Sequence, residues 1–230
     1  MKKLHRFLIS HIDQSKNWVI ADKNIVHQVN NVLKMKIGEK FIVFINNGND
    51  IVISIKNIDK NNILVETVSI NKVKNPSLKL TAIISIVKGN TFEMIVQKLT
   101  EIGVESIIPL LSDRTVKQSV KITRLQSISN EALEQSGGTR KVTIYEPMKL
   151  EDCLKKFNYP SIVFEIGAKN ITNNDLIQKK EMVMYIGPEG GWSDNDLNLF
   201  KKNKVKFVGL GTKTLRTDTA SIIGAYTLLQ

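Results

Sequence analysis

The chain has 230 residues, enough for one large or two modest domains. Its 42% hydrophobic and 24% charged content is ordinary for a globular protein and excludes global disorder. A net charge of +11 fits a partner rich in phosphate, or a plain lysine-rich surface, and one cysteine, Cys153, excludes an internal disulfide and a cysteine-based zinc site.

A single thiol suits the reducing cytoplasm. No stretch approaches the roughly 20 apolar residues of a membrane span. The start, Met1 to Ser10, is basic and then apolar, but Asp13 follows too soon for a signal peptide.

The first 70 or so residues read as strands. A short helix is expected over 27–34. Lys40 to Ile45 is a β-prone run, Asn46-Asn47-Gly48-Asn49-Asp50 a turn, and Ile51 to Lys56 the returning strand. Residues 58–68 repeat turn and strand. Strands at this spacing predict a small β-barrel.

Past Pro76 the period changes. Leu80 to Val87 is nearly all apolar, as in a strand buried on both faces. Phe92, Ile95, Leu99 and Ile102 share a helical face, with Asn90 as cap and Gly103 as stop. Further strands are expected at 104–108, 161–166, 182–186 and 205–210. Helices are expected around 122–133 and at 150–157, 194–202 and 218–230. Strands alternating with helices predict an α/β domain with a parallel sheet. The division is thus residues 1–72 and 73–230. The smaller part holds 11 Lys and Arg against 6 Asp and Glu, which suits docking on nucleic acid or merely a larger surface per residue.

Two segments look chemical. In Met184 to Ser193 a strand runs into a loop with three glycines, and Ser193 opens a helix with Asp196 as capping partner. In Val208 to Ala220 a strand runs into a loop with Gly211 and Arg216 before the last helix. Ligands of parallel sheets bind at such carboxyl-end loops, and glycine lets the main chain come close. A dinucleotide fingerprint fails, because position 214 is Thr and no carboxylate can follow about 20 residues on. A P-loop fails for want of Gly-Lys-Ser/Thr. His5, His11 and His27 lack metal-site pairing, and no metal is expected. Cys153 reads as core. Ser136 and Ser193 lack a hydrolase context. Lys88, Arg114 and Arg140 fit phosphate contact and plain solvation equally.

These residues carry a resemblance. His5-Arg6-Phe7, Val32-Leu33-Lys34, Gln97 to Val104, Glu131 to Ser136, Ile186 to Gly191 and Leu210 to Ala220 resemble the RsmE-type family of ribosomal RNA small-subunit methyltransferases. That family methylates N3 of a uridine in 16S rRNA and belongs to the SPOUT class. Lys34, Gly138, Thr214 and Asp218 depart from the usual pattern. The resemblance implies a PUA-like β-barrel over 1–72 and a trefoil-knotted α/β domain over 73–230. It also implies a cytoplasmic homodimer using S-adenosyl-L-methionine on the small ribosomal subunit. It assigns Arg216 to catalysis through charge stabilisation. It assigns Glu165, Ile186, Gly187, Glu189, Gly190, Leu210, Gly211, Thr214, Leu215 and Thr219 to the cofactor. It assigns His5, Arg6, Lys34, Arg114 and Arg140 to RNA. The competing class is an RNA-binding or ribosome-assembly protein of the same fold, with another target nucleotide or no catalysis.

Overall fold

The computed structural model describes residues 4–11, 16–115, 119–172 and 180–230. The basic start at Lys2 and Lys3, and Asp13, lie outside them. The chain forms two compact units. One comprises 1–75 with 133–140; the other comprises 76–132 with 141–230.

The first unit contains β1 (Arg6–Leu8), β2 (Asn17–Ile20), α1 (Lys23–His27), β3 (Lys40–Phe44), β4 (Asn49–Ile58) and β5 (Ile63–Lys72). The strands lie in the order β1-β3-β4-β5-β2. β1 runs parallel to β3, and the other pairs are antiparallel. Alternation decides which face is buried: Phe41 and Val43 of β3, Ile51, Ile53 and Ile55 of β4, and Ile63 and Val65 of β5 form the core. Two register shifts in the β4–β5 ladder, at Val52/Ile53 and Ile55/Asn57, bend the sheet over that core. β1 and β2 are its two edges.

The helix begins at Lys23, earlier than the expected 27–34. Asp22 caps it, accepting from the N–H groups of Asn24 and Ile25 at 2.9 and 3.1 Å. It continues as a π-helical turn over Gln28–Val32. Lys34 then adopts φ 50, a left-handed conformation that an L side chain tolerates poorly, and the helix stops. Residues 133–140 join this unit through specific bonds. The Leu8 N–H donates to Glu134 at 2.8 Å, and Asn75 donates to Thr139 at 3.3 Å.

The second unit is mixed α/β. Its strands are β6 (Lys79–Ser85), β7 (Ser106–Leu111), β8 (Thr143–Ile144), β9 (Met148–Lys149), β10 (Ser161–Phe164), β11 (Glu181–Ile186) and β12 (Lys206–Val208). The order is β12-β10-β11-β6-β7-β8, with β9 also on β7, and every pairing is parallel. Helices α2 (Thr91–Ile102), α3 (Ile122–Ser136), α4 (Leu150–Lys156), α5 (Asp194–Lys202) and α6 (Thr217–Leu229) supply the covering layers.

Burial on both sides explains the unbroken apolar runs of β6 and β11. One core packs Leu80, Ala82 and Ile84 against Phe92, Ile95 and Leu99 of α2 and Ala225 and Leu228 of α6. The other packs Ile83, Val183 and Tyr185 against Cys153 of α4 and Phe200 of α5. Cys153 is fully buried, and burial above all, with Asp152 second, pushes its thiol up to about 12. It is inert core, as expected. Gly103 ends α2 with φ 98. Asn90 sits at the start of α2, but its side chain makes no capping bond.

Candidate active site

β12, β10 and β11 are neighbours and parallel, so their carboxyl ends open on one edge of the sheet. Three loops leave from there: 165–171, 187–193 and 209–216. Together with the start of α6 they enclose a cavity of about 270 Å³. This is where a parallel sheet places its ligand.

The loops lock one another in place. Gly209 lies against the 165–171 loop so closely that a Cβ would sit 2.4 Å from the Ala168 carbonyl oxygen. The Gly209 N–H donates to the Lys169 carbonyl at 2.9 Å, and the Gly211 N–H donates to Asn170 Oδ1 at 3.0 Å. Trp192 folds its indole over Gly187, where a Cβ would lie 3.0 Å from the ring. Its Nε1 donates to the Phe164 carbonyl at 3.2 Å. Thr217, in the first turn of α6, donates through its hydroxyl to the Gly187 carbonyl at 3.0 Å. Ser193 caps α5 in the expected capping box, with Ser193 Oγ accepting from the Asp196 N–H at 3.0 Å and Asp196 accepting from the Ser193 N–H at 3.1 Å.

Nine expected residues stand on the cavity wall: Glu165, Ile186, Gly187, Glu189, Leu210, Gly211, Thr214, Leu215 and Arg216. Two do not. Gly190 turns its carbonyl outward to Arg114 Nη1, at 2.9 Å. Thr219 is exposed on α6, its N–H bonded to Asp218 Oδ1. Sequence reasoning passed over Trp192, Lys213 and Thr217, which also line the wall. An aromatic residue directly after Gly190-Gly191 was the available signal for Trp192.

Burial raises the Glu165 carboxyl above its ordinary pKa, opposed by a hydrogen bond from the Ile166 main chain. Arg216 precedes α6 in extended conformation, with its Nη2 3.2 Å from Asp218 Oδ2 and its side chain 76% exposed. Apolar wall, two carboxylates, main chain bare of side chains at Gly187 and Gly211, and a guanidinium at the rim suit a ligand with a flat apolar part and a charged part.

The residues expected at RNA divide. His5 and Lys34 share a separate hollow of about 320 Å³ in the first unit with Lys36, Glu39 and Lys40. Arg140 is exposed. Arg6 corrects the expectation. Its side chain is only 7% exposed, ion-paired with Asp50, bonded to the Gly138 carbonyl at 2.8 Å and lying 4.7 Å over the Phe44 ring. A guanidinium so engaged fastens the unit together and has no face left for phosphate. Among the described residues no three His, Cys, Asp or Glu are grouped to hold a metal ion, and no helix is long and apolar enough to cross a membrane.

Residues 74–229 match the family model described as RNA methyltransferase domain. Ribosomal RNA small subunit methyltransferase E of Buchnera aphidicola subsp. Schizaphis graminum is 30% identical over 100% of this chain and 96% of its own length. The protein of the same name from Rickettsia conorii is 27% identical over 96% and 93%. Among solved structures, ribosomal RNA small subunit methyltransferase E of Neisseria gonorrhoeae, bound to S-adenosyl methionine, shares the fold with a TM-score of 0.88 at 24% identity, covering 98% of this chain and 97% of that one. A Legionella pneumophila methyltransferase in complex with the same cofactor shares it with a TM-score of 0.87, again at 24% identity and with coverage of 98% and 97%. With the matched segment spanning the whole cavity-bearing sheet, and full-length relatives sharing one name, the chain belongs to the ribosomal RNA small subunit methyltransferase E family.

Proposed function

We propose that this protein methylates N3 of a uridine in 16S rRNA, with S-adenosyl-L-methionine held in the cavity at the ends of β10, β11 and β12. The observation that carries the reading is the cavity itself, built of main chain from two glycine loops beside one guanidinium. The residues present fit the cofactor. Gly187 is kept bare by Trp192, Gly211 has open space at φ 123, and Ile186, Leu210 and Leu215 offer apolar walls for an adenine. Glu165 and Glu189 face the same space and suit a cationic ligand.

When bound, S-adenosyl-L-methionine supplies a methyl group already activated by its sulfonium. The protein's part is then position and charge. The main chain at Ile186, Gly187, Leu210 and Gly211 orients the nucleoside. The apolar walls exclude water. Arg216, steadied by Asp218, stabilises the negative charge that uracil carries once N3 has lost its proton.

His5, Lys34 and Arg140 are assigned to RNA phosphates, with Lys36 and Lys40 beside them. The net charge of +11 supports this assignment. The domains are read as a PUA-like barrel over 1–72 and a trefoil-knotted methyltransferase domain over 73–230. The curled sheet of the first unit supports the one. The placing of β10 between β12 and β11 supports the other. The working form is read as a cytoplasmic homodimer. Ile223 and Tyr226, 40% and 55% exposed on α6, support a second copy as partner.

Purified protein, labelled S-adenosyl-L-methionine and small subunits lacking the mark test the proposal. Label on N3 of one uridine is expected, and no label discards it. Arg216→Ala should lower kcat about 10²-fold while cofactor affinity stays within about twofold. Full turnover in that variant removes the role given to Arg216.

A further inference from the structure

Asp113 and Arg114 follow β7, a strand separated from β11 by β6. Both are exposed, yet three of their hydrogen bonds converge on the segment that follows β11. Asp113 Oδ2 accepts from Ser193 Oγ at 2.7 Å and from Asn195 Nδ2 at 3.3 Å. Arg114 Nη1 donates to the Gly190 carbonyl at 2.9 Å. The Arg114 stem also lies along Gly190, where a Cβ would sit 3.7 Å from its Cδ.

The segment that carries the pair is itself tied down. Ser112 Oγ lies 3.1 Å from Ser85 Oγ at the end of β6 and 2.7 Å from Thr115 Oγ1. The Ser112 N–H donates to Thr115 Oγ1 at 2.9 Å, and the Thr115 N–H returns to the Ser112 carbonyl at 3.0 Å. Asp113 and Arg114 therefore project from a fixed turn and grip the glycine loop at Gly190 and Ser193. Between those points lies Gly191 at φ 70, with its N–H bonded to the Pro188 carbonyl at 2.9 Å. On its inner side the same loop is held by Trp192 and Thr217.

We propose that Asp113 and Arg114 are positioning residues of the cofactor site: a latch, thrown across the end of β6, that fixes the 187–193 loop from outside before the ligand arrives. Arg114 thereby leaves the set of RNA contacts. The latch rests on reading the cavity as the site of S-adenosyl-L-methionine. Its physical content is preorganisation. A loop already held in the binding conformation loses less entropy on binding, so releasing it weakens the cofactor without touching it. Asp113 also sits beside the first turn of α5, where a carboxylate is favoured.

The test compares full-length Asp113→Ala, Asp113→Asn and Arg114→Ala. Calorimetry with S-adenosyl-L-methionine gives the cofactor Kd, kinetics give KM and kcat, and binding of 16S rRNA fragments over a range of salt gives the charge of the RNA contact. Asp113→Ala and Arg114→Ala should each raise the cofactor Kd and KM about fivefold, as loss of a partly exposed charged hydrogen bond does. The salt dependence of RNA binding should not change. Asp113→Asn keeps an acceptor for Ser193 and should return the Kd to within about twofold of wild type. An unchanged Kd in both alanine variants overturns the latch. So does a fall of about one in the RNA salt slope for Arg114→Ala, which marks a phosphate contact. Wild-type protein that binds no S-adenosyl-L-methionine overturns the functional reading, and the latch with it.

Discussion

Glu165 carries a pH signature. Burial raises its pKa in the folded chain, so the folded state prefers the protonated carboxyl. Below the ordinary value of 4.5 both folded and unfolded chains hold the proton, and the group has no effect on stability. As the pH climbs past that value the unfolded chain ionises first, and stability falls until the folded pKa is passed. Glu165→Gln removes the loss. Its melting temperature should exceed wild type at pH 7 and converge with it near about pH 4; an equal gap at both values would refute the assignment. Single residues were unevenly legible in the sequence. Ser193 and Asp196 stand three apart, so their capping box needs only local spacing. Arg6 depends on Asp50 and Gly138, 44 and 132 positions away. Nothing in its neighbours distinguishes a buried clasp from a surface cation.

The loops after β10 and β12 meet at Gly209, and this contact sets a sharper limit than any single bond. A Cβ there would meet a carbonyl oxygen of the main chain at 2.4 Å, and main chain cannot rotate aside as a side chain does. Gly209→Ala should push the 165–171 loop away from the 209–216 loop and break the bond from the Gly211 N–H to Asn170. The expected result is a cofactor affinity lowered at least about tenfold and a destabilisation of about 1–3 kcal/mol, read by calorimetry and urea unfolding. Gly211→Ala meets open space, and its cost should come from φ 123 alone. Ser193→Ala loses the cap of α5 and should cost about 1 kcal/mol in the same unfolding assay. Elements with strong local signals were legible. The spacing gave α5 its observed bounds, Asp194–Lys202, and α6 within a residue. Among the short strands, β10 and β12 were legible and four others were not. β1, β2, β8 and β9 hold two to four residues each and exist because a neighbour offers a ladder. Their own sequence is too brief to show a period. The start of α1 was missed because the cap at Asp22 was not recognised.

The molecule carries its charge of +11 through both units, so long-range attraction to RNA should be strong at low salt and fall steeply as salt rises. Under the proposed function, part of that effect falls at the hollow lined by His5, Lys34, Lys36 and Lys40. Lys34→Ala with Lys40→Ala should lower the slope of log affinity against log salt by about two, with S-adenosyl-L-methionine affinity unchanged. An unchanged slope would remove the hollow from the RNA surface. The change in hydrophobic period near Pro76 made the two-part organisation readable. The transfer of 133–140 to the first unit was not readable, because its ties to Leu8 and Asn75 are long-range.

The chain has two tryptophans, and the fold gives one to each unit. Trp18 is buried beside Thr67, while Trp192 faces the cavity across Gly187. Intrinsic fluorescence is therefore already sorted into two channels. With Trp18→Phe the remaining tryptophan emission comes from an indole on the cavity wall, so occupancy can be followed by light alone, with no dye attached and the buried Cys153 left untouched.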